Sequence, residues 1–332
     1  MNATLDLSIA LSDNPRTRPL LEGRVAPAGI QLIPTAVHPS EMFWRQLRYE
    51  DFDVSEMSLS SLLIAVSRGD TRFVGLPIYT MRRFFHTGIW VRADRGISAP
   101  ADLVGKRVGV PEYQQTSAIW SRGILHHEFG VRARDLEWFM ERGPDRSHGT
   151  ATGFTPPPGV RLNQIRSDQN IGEMLARGEL DATVHYLREA NLVDRSRIDL
   201  SKLADVRPLF PDPEAEGQRY FAKTGLFPIN HCVVVRRVVL ERHPWIALNL
   251  YGAFNAAKDE SRARAVATLQ PYFDTGAVDG NIRNALAQDA LPYGVKAARR
   301  VVETVAQYVH EQGLTPRRVG IEEIFAASTL EV

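Results

Sequence analysis

Short apolar segments that read as β-strands alternate with helical patterns along almost the whole chain, and this alternation constrains the fold more than any other feature. LDLSIALS at 5–12 predicts a strand followed by a polar loop, and FDVSEMSLSSLLIAVSRG at 52–69 predicts a strand, a serine-bearing turn and a helix. Such alternation is typical of α/β proteins with mainly parallel sheets, whose ligands bind at the carboxyl ends of the strands. The 332 residues, 44% of them hydrophobic, favour two domains over one.

The charge balance and the terminal segment restrict the partners and the compartment. The chain has 40 basic and 39 acidic residues and no basic run longer than a pair such as Arg82-Arg83, so we expect neither nucleic acid nor a membrane as a partner. The N-terminal segment has no basic region followed by an uninterrupted apolar run, and no later window is apolar for long enough to span a bilayer. We therefore expect a cytoplasmic protein, and the single cysteine, Cys232, fits a reducing compartment.

The segment RVGVPEYQQTSAIWSRGIL at 107–125 predicts a strand, a polar turn and a helix. The start of a helix has unpaired backbone N–H groups and partial positive charge, which together favour an anion. Tyr113, Gln115, Thr116 and Ser117 are therefore candidate ligand-binding residues, and Thr116 or Ser117 is expected to cap the helix. The alternative is that this turn only ends the strand and caps the helix.

Several stretches resemble known families. DLVGKRVGVPEYQQTS, MLARGELDAT and HCVVVRRVVLERHPWI resemble the type II periplasmic-binding-protein fold, in which two crossing strands join two α/β lobes and a ligand cleft lies between the lobes. FDVSEMSLSSLL, GKRVGVPEYQQTSAIWSRGIL, TGLFPINHCVVVRR and EQGLTPRRVGIEEIF resemble the 4,5-dihydroxyphthalate decarboxylase family and span nearly the whole chain. The resemblance implies a first lobe formed by residues 1–92 and 228–332 and a second lobe formed by residues 93–227.

The resemblance implies an enzyme that removes one carboxylate from 4,5-dihydroxyphthalate and leaves 3,4-dihydroxybenzoate, a carboxy-lyase of aromatic-compound degradation and phthalate catabolism. The run VHYLREANLVD at 184–194 departs from the family pattern and leaves the exact substrate open. In two-lobe proteins of this kind the QQTS turn would face the ligand, and Ser58, Ser60 and Ser61 would be its first-lobe counterpart. The alternative for these serines is helix capping with satisfied hydroxyls.

The chemistry implied by this resemblance defines the groups that a site needs. Direct loss of CO₂ from an aryl carboxylate would leave an sp² carbanion, so the ring carbon is protonated first, with electrons supplied by a hydroxyl para to it. The site then needs an acid near that carbon, a group that holds the phenol proton, and cations or N–H donors for the carboxylate that stays. The departing carboxylate is better placed against apolar walls, because pairing it would stabilise the ground state.

Three histidines and one glutamate are candidates for proton transfer. His86 lies among aromatic residues where the chain is expected to leave the first lobe, and His231 lies where it returns, so we expect the two to face each other across the hinge. On this hypothesis His86→Ala abolishes turnover. His185 is a third candidate, and each histidine has the alternative of a structural role. Glu56 is either a general acid with a raised pKa or, as we prefer, a residue that holds an arginine in place.

Four arginines are candidates for binding the carboxylate that stays, because arginine suits bidentate carboxylate recognition. They are Arg16, Arg18, Arg82 and Arg83, and the alternative for each is an exposed, solvated side chain. No cofactor is predicted, since the sequence has no nucleotide-binding glycine pattern and no close histidine spacing for a metal near the candidates. The adjacent His126 and His127 are expected to point to different faces of a helix, while distant histidines converging on a divalent metal stay an alternative.

Two further functions are compatible with the two-lobe fold. One is a solute-binding protein that delivers a small anion to an ABC transporter, which would require an export signal. The other is a cytoplasmic ligand-binding or biosynthetic protein. A small aromatic carboxylate is the expected substrate, and the apolar helical surface of the last hundred residues permits a homo-oligomer.

Overall fold

The computed structural model describes residues 4–332, which form two β-sheets with helices packed on them. The first sheet has the spatial order β2-β1-β3-β11-β4, and the second has the order β10-β5-β9-β6-β7-β8. The strands are β1 (Leu5–Leu11), β2 (Ile30–Ala36), β3 (Val54–Ser58), β4 (Phe73–Arg82), β5 (Trp90–Arg92), β6 (Arg107–Val110), β7 (Glu137–Met140), β8 (Arg161–Gln164), β9 (Ala182–Thr183), β10 (Val206–Pro208) and β11 (Ile229–Arg236).

The two longest α-helices of the described residues lie in the last third of the chain. They are α1 (Arg18–Leu21), α2 (Pro39–Tyr49), α3 (Leu59–Ser67), α4 (Thr116–Phe129), α5 (His148–Thr152), α6 (Ile171–Ala176), α7 (Pro213–Thr224), α8 (Arg237–Arg242), α9 (Ile246–Asp274), α10 (Gly280–Ala287), α11 (Val295–Glu311) and α12 (Ile321–Ile324). None of these helices combines the length and the apolar character that crossing a membrane requires.

Each sheet has parallel strands on one side and antiparallel pairs on the other, and the parallel part is what the alternation of strands and helices predicts. In the first sheet β1 pairs in parallel with β2 and β3, while β11 runs antiparallel between β3 and β4. In the second sheet β6 is parallel to β7 and β9, and β5 is antiparallel to β9 and β10. The β-branched run Val233–Val235 is completely buried in β11, which fixes this strand in the middle of the first sheet.

The chain passes twice between the two sheets. It leaves the first sheet after β4 and returns at β11, so β5 and β10 are the entry and exit strands of the second sheet. The predicted lobe boundary after residue 92 falls at the end of β5, which already pairs within the second sheet, and the boundary before residue 228 lies just ahead of β11. The two-lobe α/β architecture confirms the fold class.

Two local predictions differ from the structure. By its sequence Pro271 predicts a break in a helix, but it lies within α9, which continues to Asp274, since proline removes only one backbone donor there. The Gly- and Pro-rich region 143–160 predicts a surface loop, yet it contains α5, whose first residue, His148, is buried. Ser147 caps that short helix by accepting a hydrogen bond from the backbone N–H of Gly149.

The C-terminal helix α11 packs against helices of both lobes, α3 and α4. A methyl group at Gly123 in α4 would lie 2.1 Å from Cδ2 of Tyr308, so only glycine allows this approach of the two helices. Nearby, Nε1 of Trp120 donates a hydrogen bond to the backbone carbonyl of Ile229 at 2.8 Å. These contacts hold the N-terminal half of α4 beside the returning strand and so position the turn that precedes the helix.

Candidate active site

A cleft of about 630 Å³ is lined by residues from both lobes. Its polar side chains come mainly from the carboxyl ends of parallel strands, the edge at which open α/β sheets bind ligands. These are Ser12 and Asn14 after β1, His38 after β2, Ser58 at the end of β3, Gln115 and Ser117 after β6, and Arg142 after β7. The polar loops that the sequence predicts at strand ends therefore meet in one cavity.

His231 and Glu56 form a hydrogen-bonded pair at the base of the cleft. Nδ1 of His231 lies 3.0 Å from Oε2 of Glu56. The same carboxylate accepts hydrogen bonds from the backbone N–H and the hydroxyl of Ser12, at 2.7 and 2.6 Å, and from the hydroxyl of Thr80 at 2.6 Å. Because an ionised carboxylate only accepts, the proton of the neutral imidazole is on Nδ1 and Nε2 is left as the acceptor.

The Glu56 carboxyl is fully buried, and burial by itself would raise its pKa. The hydrogen bonds from His231, Ser12 and Thr80 together outweigh burial, so the pKa of Glu56 is lowered from its ordinary value. The role of general acid predicted for Glu56 required a raised pKa and is therefore wrong. The preferred alternative also fails, because the side chain paired with this carboxylate is a histidine and not an arginine.

Asn230 and Phe43 complete the surroundings of the His231 ring. The Nδ2 amide of Asn230 lies 2.8 Å from Nε2 of His231, and both side chains line the cleft. The ring of Phe43 meets the His231 ring edge-on, with 4.7 Å between the ring centroids, and also faces His148 at 5.8 Å. His231 is thus held from two sides by polar groups and from a third by an apolar ring.

A buried ion pair supports the wall opposite. Arg142 and Asp194 are each about 1% exposed at the side chain, and Nε of Arg142 lies 2.7 Å from Oδ1 of Asp194. Burial would raise the pKa of Asp194, but the charge and hydrogen bonds of Arg142 lower it to about 2. Arg142 also donates to the hydroxyl of Ser40 at 2.6 Å and lies 3.2 Å from Nε2 of His148. Since its charge is already paired, Arg142 supports the site and is not free to bind a carboxylate.

Two further histidines of the cleft are neutral. Burial, reinforced by the positive charge of Arg142, lowers the pKa of His148 to about 3. Burial and the nearby Arg83 and Arg142 lower the pKa of His185 to about 3 as well. His185 also has a left-handed backbone with φ of 54°, which is unfavourable for a residue with a Cβ and is typical of functional sites. Both imidazoles can therefore exchange hydrogen bonds with a hydroxyl group without carrying charge.

Two arginines at the cleft are available to an anion. Arg83 lines the cleft with an exposed side chain and has no carboxylate within 4.0 Å among residues 4–332. Arg16 also lines the cleft, donates to the backbone carbonyl of Thr80, and has a buried Nε without a hydrogen-bond partner in the described chain. The arrangement can bind a carboxylate from the mouth of the cleft.

The structure brings about half of the predicted site residues to the cleft. These residues are Arg16, Ser58, Arg83, Gln115, Ser117, His185 and His231, while Glu56 lies directly behind His231. Each of these residues lies at the end of a strand or where the chain passes between the two sheets. The local sequence pattern can predict such positions.

His86 is not among them, and its predicted position facing His231 is corrected. Its ring is buried between Phe210 and Tyr220, at centroid distances of 5.7 and 5.2 Å, and its Nε2 lies 3.1 Å from Glu216. Burial lowers the pKa of His86, as the sequence indicates, but the aromatic neighbours that bury it also separate it from the cleft.

Thr116 has a role that the helix-capping hypothesis did not include. Gln115 is the N-cap of α4 and makes no side-chain capping bond, so the prediction of Thr116 or Ser117 as the cap is wrong. Oγ1 of Thr116 instead lies 2.9 Å from Oγ of Ser58 and accepts from the backbone N–H of Ser60 at 2.9 Å. Ser60 donates to the carbonyl of Gln114 at 2.6 Å. The QQTS turn is therefore one half of a contact between the lobes.

The remaining predicted binding residues point elsewhere. Ser61 is buried and lies 3.4 Å from Nε2 of Gln114, and Arg18 is exposed and paired with Asp13 at 2.8 Å. Arg82 donates to the carbonyl of Pro292 at 2.7 Å, and Tyr113 is buried beneath the guanidinium of Arg122. Within the described chain these four side chains have protein partners, which explains why they do not line the cleft.

Sequence reasoning missed several residues that line the cleft, among them His38, Phe43, Arg142, His148 and Asn230. Strand ends would have indicated His38 and Arg142, because each lies two residues after the end of a strand, β2 and β7 respectively. Asn230 directly precedes His231 in β11, so the signal that predicts His231 also applies to Asn230. His148 has no such signal, since it lies within a Gly- and Pro-rich segment.

Potential metal ligands cluster outside the cleft. Among residues 4–332, ligand atoms of three potential donors come within 4.8 Å of one another at His126, His127 and Glu311. The rings of His126 and His127 lie side by side with 4.8 Å between centroids, so the expectation that they point to different faces is wrong. No such trio is formed by the cleft histidines in the described chain.

The chain is similar in sequence to two known proteins of the same name. No protein-family model matches the chain. It is 34% identical over 330 residues to 4,5-dihydroxyphthalate decarboxylase of Comamonas testosteroni, covering 98% of each chain. It is 37% identical over 180 residues to the protein of the same name from Pseudomonas putida, covering 54% of this chain and 70% of that one.

Solved structures resemble the fold at low sequence identity. The sulfonate-binding protein SsuA of Escherichia coli matches with a TM-score of 0.53 at 13% identity over 99% of both chains. SsuA of Xanthomonas axonopodis pv. citri, bound to MOPS, matches with a TM-score of 0.52 at 16% identity over 95% of both chains. The desulfurization enzyme DSZB matches with a TM-score of 0.52 at 17% identity, covering 98% of this chain and 97% of that one. These likenesses show a periplasmic-binding-protein-like fold.

Proposed function

The chain belongs to the 4,5-dihydroxyphthalate decarboxylase family and is a carboxy-lyase, and from this membership we propose that its substrate is 4,5-dihydroxyphthalate or a closely similar dihydroxylated aromatic dicarboxylate. The product would be 3,4-dihydroxybenzoate, and the reaction would belong to phthalate catabolism. The observation that carries the proposal is the His231–Glu56 pair beside two available arginines in one cleft.

His231 is the proposed proton donor to the ring carbon that bears the departing carboxylate. In this proposal the imidazolium donates from Nε2, the nitrogen turned away from Glu56. The ionised Glu56 stabilises the positive charge of the imidazolium and holds the ring in one orientation. For the return step, His231 takes up a proton from solvent at Nε2, and the side chain of Asn230, whose NH2 group faces Nε2 in the neutral state, turns so that its oxygen accepts from Nε2–H.

The ring hydroxyls are assigned to the neutral histidines. A hydroxyl para to the protonated carbon supplies electrons to the ring, and this requires a partner that takes or shares the phenol proton. His185 is neutral at physiological pH and can accept that hydrogen bond. The Nε2 of neutral His148 already accepts from Arg142, so its Nδ1–H is left to donate to the second ring hydroxyl. A charged lysine or arginine at the same place could only donate, which would not assist the loss of the phenol proton.

The two carboxylates of the substrate need opposite surroundings. The one that stays is assigned to Arg83 and Arg16, where charge-assisted hydrogen bonds fix the orientation of the ring. The one that departs is assigned to the apolar wall that contains Val37, Phe43 and Leu187. Without a charged partner, this carboxylate loses solvation as the cleft closes, and its conversion to uncharged CO₂ is favoured.

The proposal is tested by incubating the purified, chelator-treated protein with 4,5-dihydroxyphthalate and measuring CO₂ and the aromatic product together. We expect CO₂ and 3,4-dihydroxybenzoate in equal amounts. Terephthalate, which has carboxylates but no hydroxyl groups, is the control and should release none. Binding without turnover, also after divalent metals are restored, would contradict the proposal and favour a solute-binding function or a different diacid.

A further inference from the structure

A second hollow, of about 370 Å³, lies outside the cleft where the C-terminal ends of α4 and α11 meet. Its walls come from three separated parts of the chain, namely α4 with the turn that follows it, the segment around residues 157–160, and residues 311–313 after α11. It shares no lining residue with the cleft. The hollow is therefore a distinct feature that the decarboxylation chemistry does not use.

The hollow is basic. Arg122, Arg132 and Arg134 line it, and none of the three guanidinium groups has a carboxylate within 4.0 Å in the described part of the chain. The acidic residue of the lining, Glu311, is already engaged with Nε2 of His127 at 2.8 Å. Three unpaired positive charges around one concave surface favour an anion.

Arg122 is the most informative of the three arginines. It is 2% exposed, and its Nε and Nη2 donate at 2.8 Å to the side-chain oxygen of Gln312 and the backbone carbonyl of Tyr113. The guanidinium stacks on the ring of Tyr113 at 3.8 Å, but its Nη1 has no hydrogen-bond partner in residues 4–332. A buried charge without a counter-ion is costly, and an anion bound close by would offset that cost.

One wall of the hollow is apolar. Pro157, Pro158 and Val160 form this wall, and Pro157 is itself buried. A ligand that satisfies both sides carries negative charge at one end and an apolar body at the other. An inorganic anion would leave the proline wall without a contact.

We propose that this hollow binds a small organic carboxylate, with the carboxylate at Arg132 and Arg134 near the buried Arg122 and the apolar body against Pro157, Pro158 and Val160. A divalent cation on His126, His127 and Glu311 is the competing occupant of the same region. The three unpaired arginines oppose a cation there, and Glu311 would have to give up its hydrogen bond with His127.

A ligand bound in the hollow would affect the cleft through a short chain of contacts. Arg122 bonds to the carbonyl of Tyr113, two residues before Gln115, which lines the cleft. Gln312 also donates to the carbonyl of Ile119 at 2.9 Å and so ties the end of α11 to α4. A bound carboxylate would strengthen the pairing of these two helices, and we expect it to raise the melting temperature.

The test uses 4-bromobenzoate, whose bromine is located by anomalous scattering in crystals of the full chain, together with calorimetric titration in solution. We expect a bromine peak beside Pro157 in the wild type and its loss in Arg132→Gln/Arg134→Gln. In solution this variant should lose the corresponding binding event or bind at least about tenfold more weakly. The double variant Arg48→Gln/Arg264→Gln, which removes two exposed arginines away from the hollow, should behave like the wild type.

Each other outcome overturns the proposal. Bromine in the cleft alone would show that the hollow does not bind organic carboxylates. A peak in the hollow without a difference in solution between the wild type and Arg132→Gln/Arg134→Gln would be binding at crystal concentration only. A parallel soak with zinc tests the competing occupant. Zinc bound at His126, His127 and Glu311, with no bromine in the hollow, would show that the hollow is a cation site and not an anion site.

Discussion

The Nδ1 atom of His231 lies 3.0 Å from Oε2 of Glu56, although 175 positions separate the two residues in the chain. The antiparallel pairing of β11 with β3 explains this contact, because His231 is opposite Ser58 and Val233 is opposite Glu56. Residues two apart on a strand face the same side of the sheet. The side chains of His231, Ser58 and Glu56 therefore meet at one end of the sheet. The returning strand thus completes the site that β3 begins.

Glu56 acts through His231, so replacing it should affect turnover more than substrate binding. Glu56→Gln removes the charge and allows the amide to donate to the imidazole, which disturbs the tautomer that Glu56 selects. We expect kcat to fall at least about tenfold with KM nearly unchanged.

The matched control for this substitution is Glu112→Gln. Glu112 is also fully buried but does not line the cleft, and it accepts a hydrogen bond from the backbone N–H of His148, which the oxygen of an amide can accept as well. The measurement is the kcat and KM of both folded variants under steady-state conditions, and only Glu56→Gln should lose kcat. Equal losses of kcat in the two would show that any buried glutamate matters and would contradict the specific role.

Arg83 is expected to bind the carboxylate that stays. A charged hydrogen bond contributes about 1.5–3 kcal/mol, so Arg83→Gln should lower kcat/KM roughly 10- to 150-fold. Arg18→Gln is the control, because Arg18 is exposed, is paired with Asp13 and lies outside the cleft. Measured kcat/KM values for both variants test the assignment, and a loss in Arg18→Gln as large as that in Arg83→Gln would contradict it.

The Arg142–Asp194 pair is expected to stabilise the cleft wall. Asp194→Asn leaves the buried guanidinium without its counter-charge and should lower the free energy of unfolding by about 3–5 kcal/mol. The double variant Arg142→Met/Asp194→Leu removes both charges and should be less destabilised than Asp194→Asn. Urea unfolding of the three proteins provides the comparison, and a double variant less stable than the single one would contradict this account.

The same pair predicts how stability depends on pH. The pKa of Asp194 is lowered in the folded protein from 3.8 to about 2, so its contribution is complete above about pH 4 and is lost as the pH falls towards 2. This contribution is about 2.5 kcal/mol, from a shift of roughly two pKa units. Urea unfolding between pH 5 and 2 should therefore show a steeper acid loss in the wild type than in Asp194→Asn, and parallel curves would contradict it.

The fold and part of the site could be predicted from the sequence because those signals are local. The alternation of strands and helices, and the polar residues at strand ends, are visible within ten residues, and they correctly indicate Ser58, Gln115 and Ser117 at the cleft. The same pattern predicts Arg16, which lies in the loop after β1, and Arg83, which lies where the chain leaves β4 for the second sheet.

Long-range contacts could not be predicted in this way. His86 and His231 have equally apolar neighbours in sequence, and only the packing of Phe210 and Tyr220 against His86 separates their positions. Asp194 neutralises Arg142 from 52 residues away, which the sequence does not indicate. The burial of His148 depends on tertiary packing that a Gly- and Pro-rich segment does not reveal.

The most direct test of the account is single-turnover CO₂ release by His231→Gln and His86→Gln, each checked for a native far-UV spectrum. His231→Gln should lose roughly 10²- to 10⁴-fold in the rate, the contribution of a positioned acid. His86→Gln should remain close to the wild type, since its imidazole contacts Glu216 outside the cleft. A folded His231→Gln that keeps its activity, or a folded His86→Gln that loses it, would contradict the assignment of His231 as the proton donor.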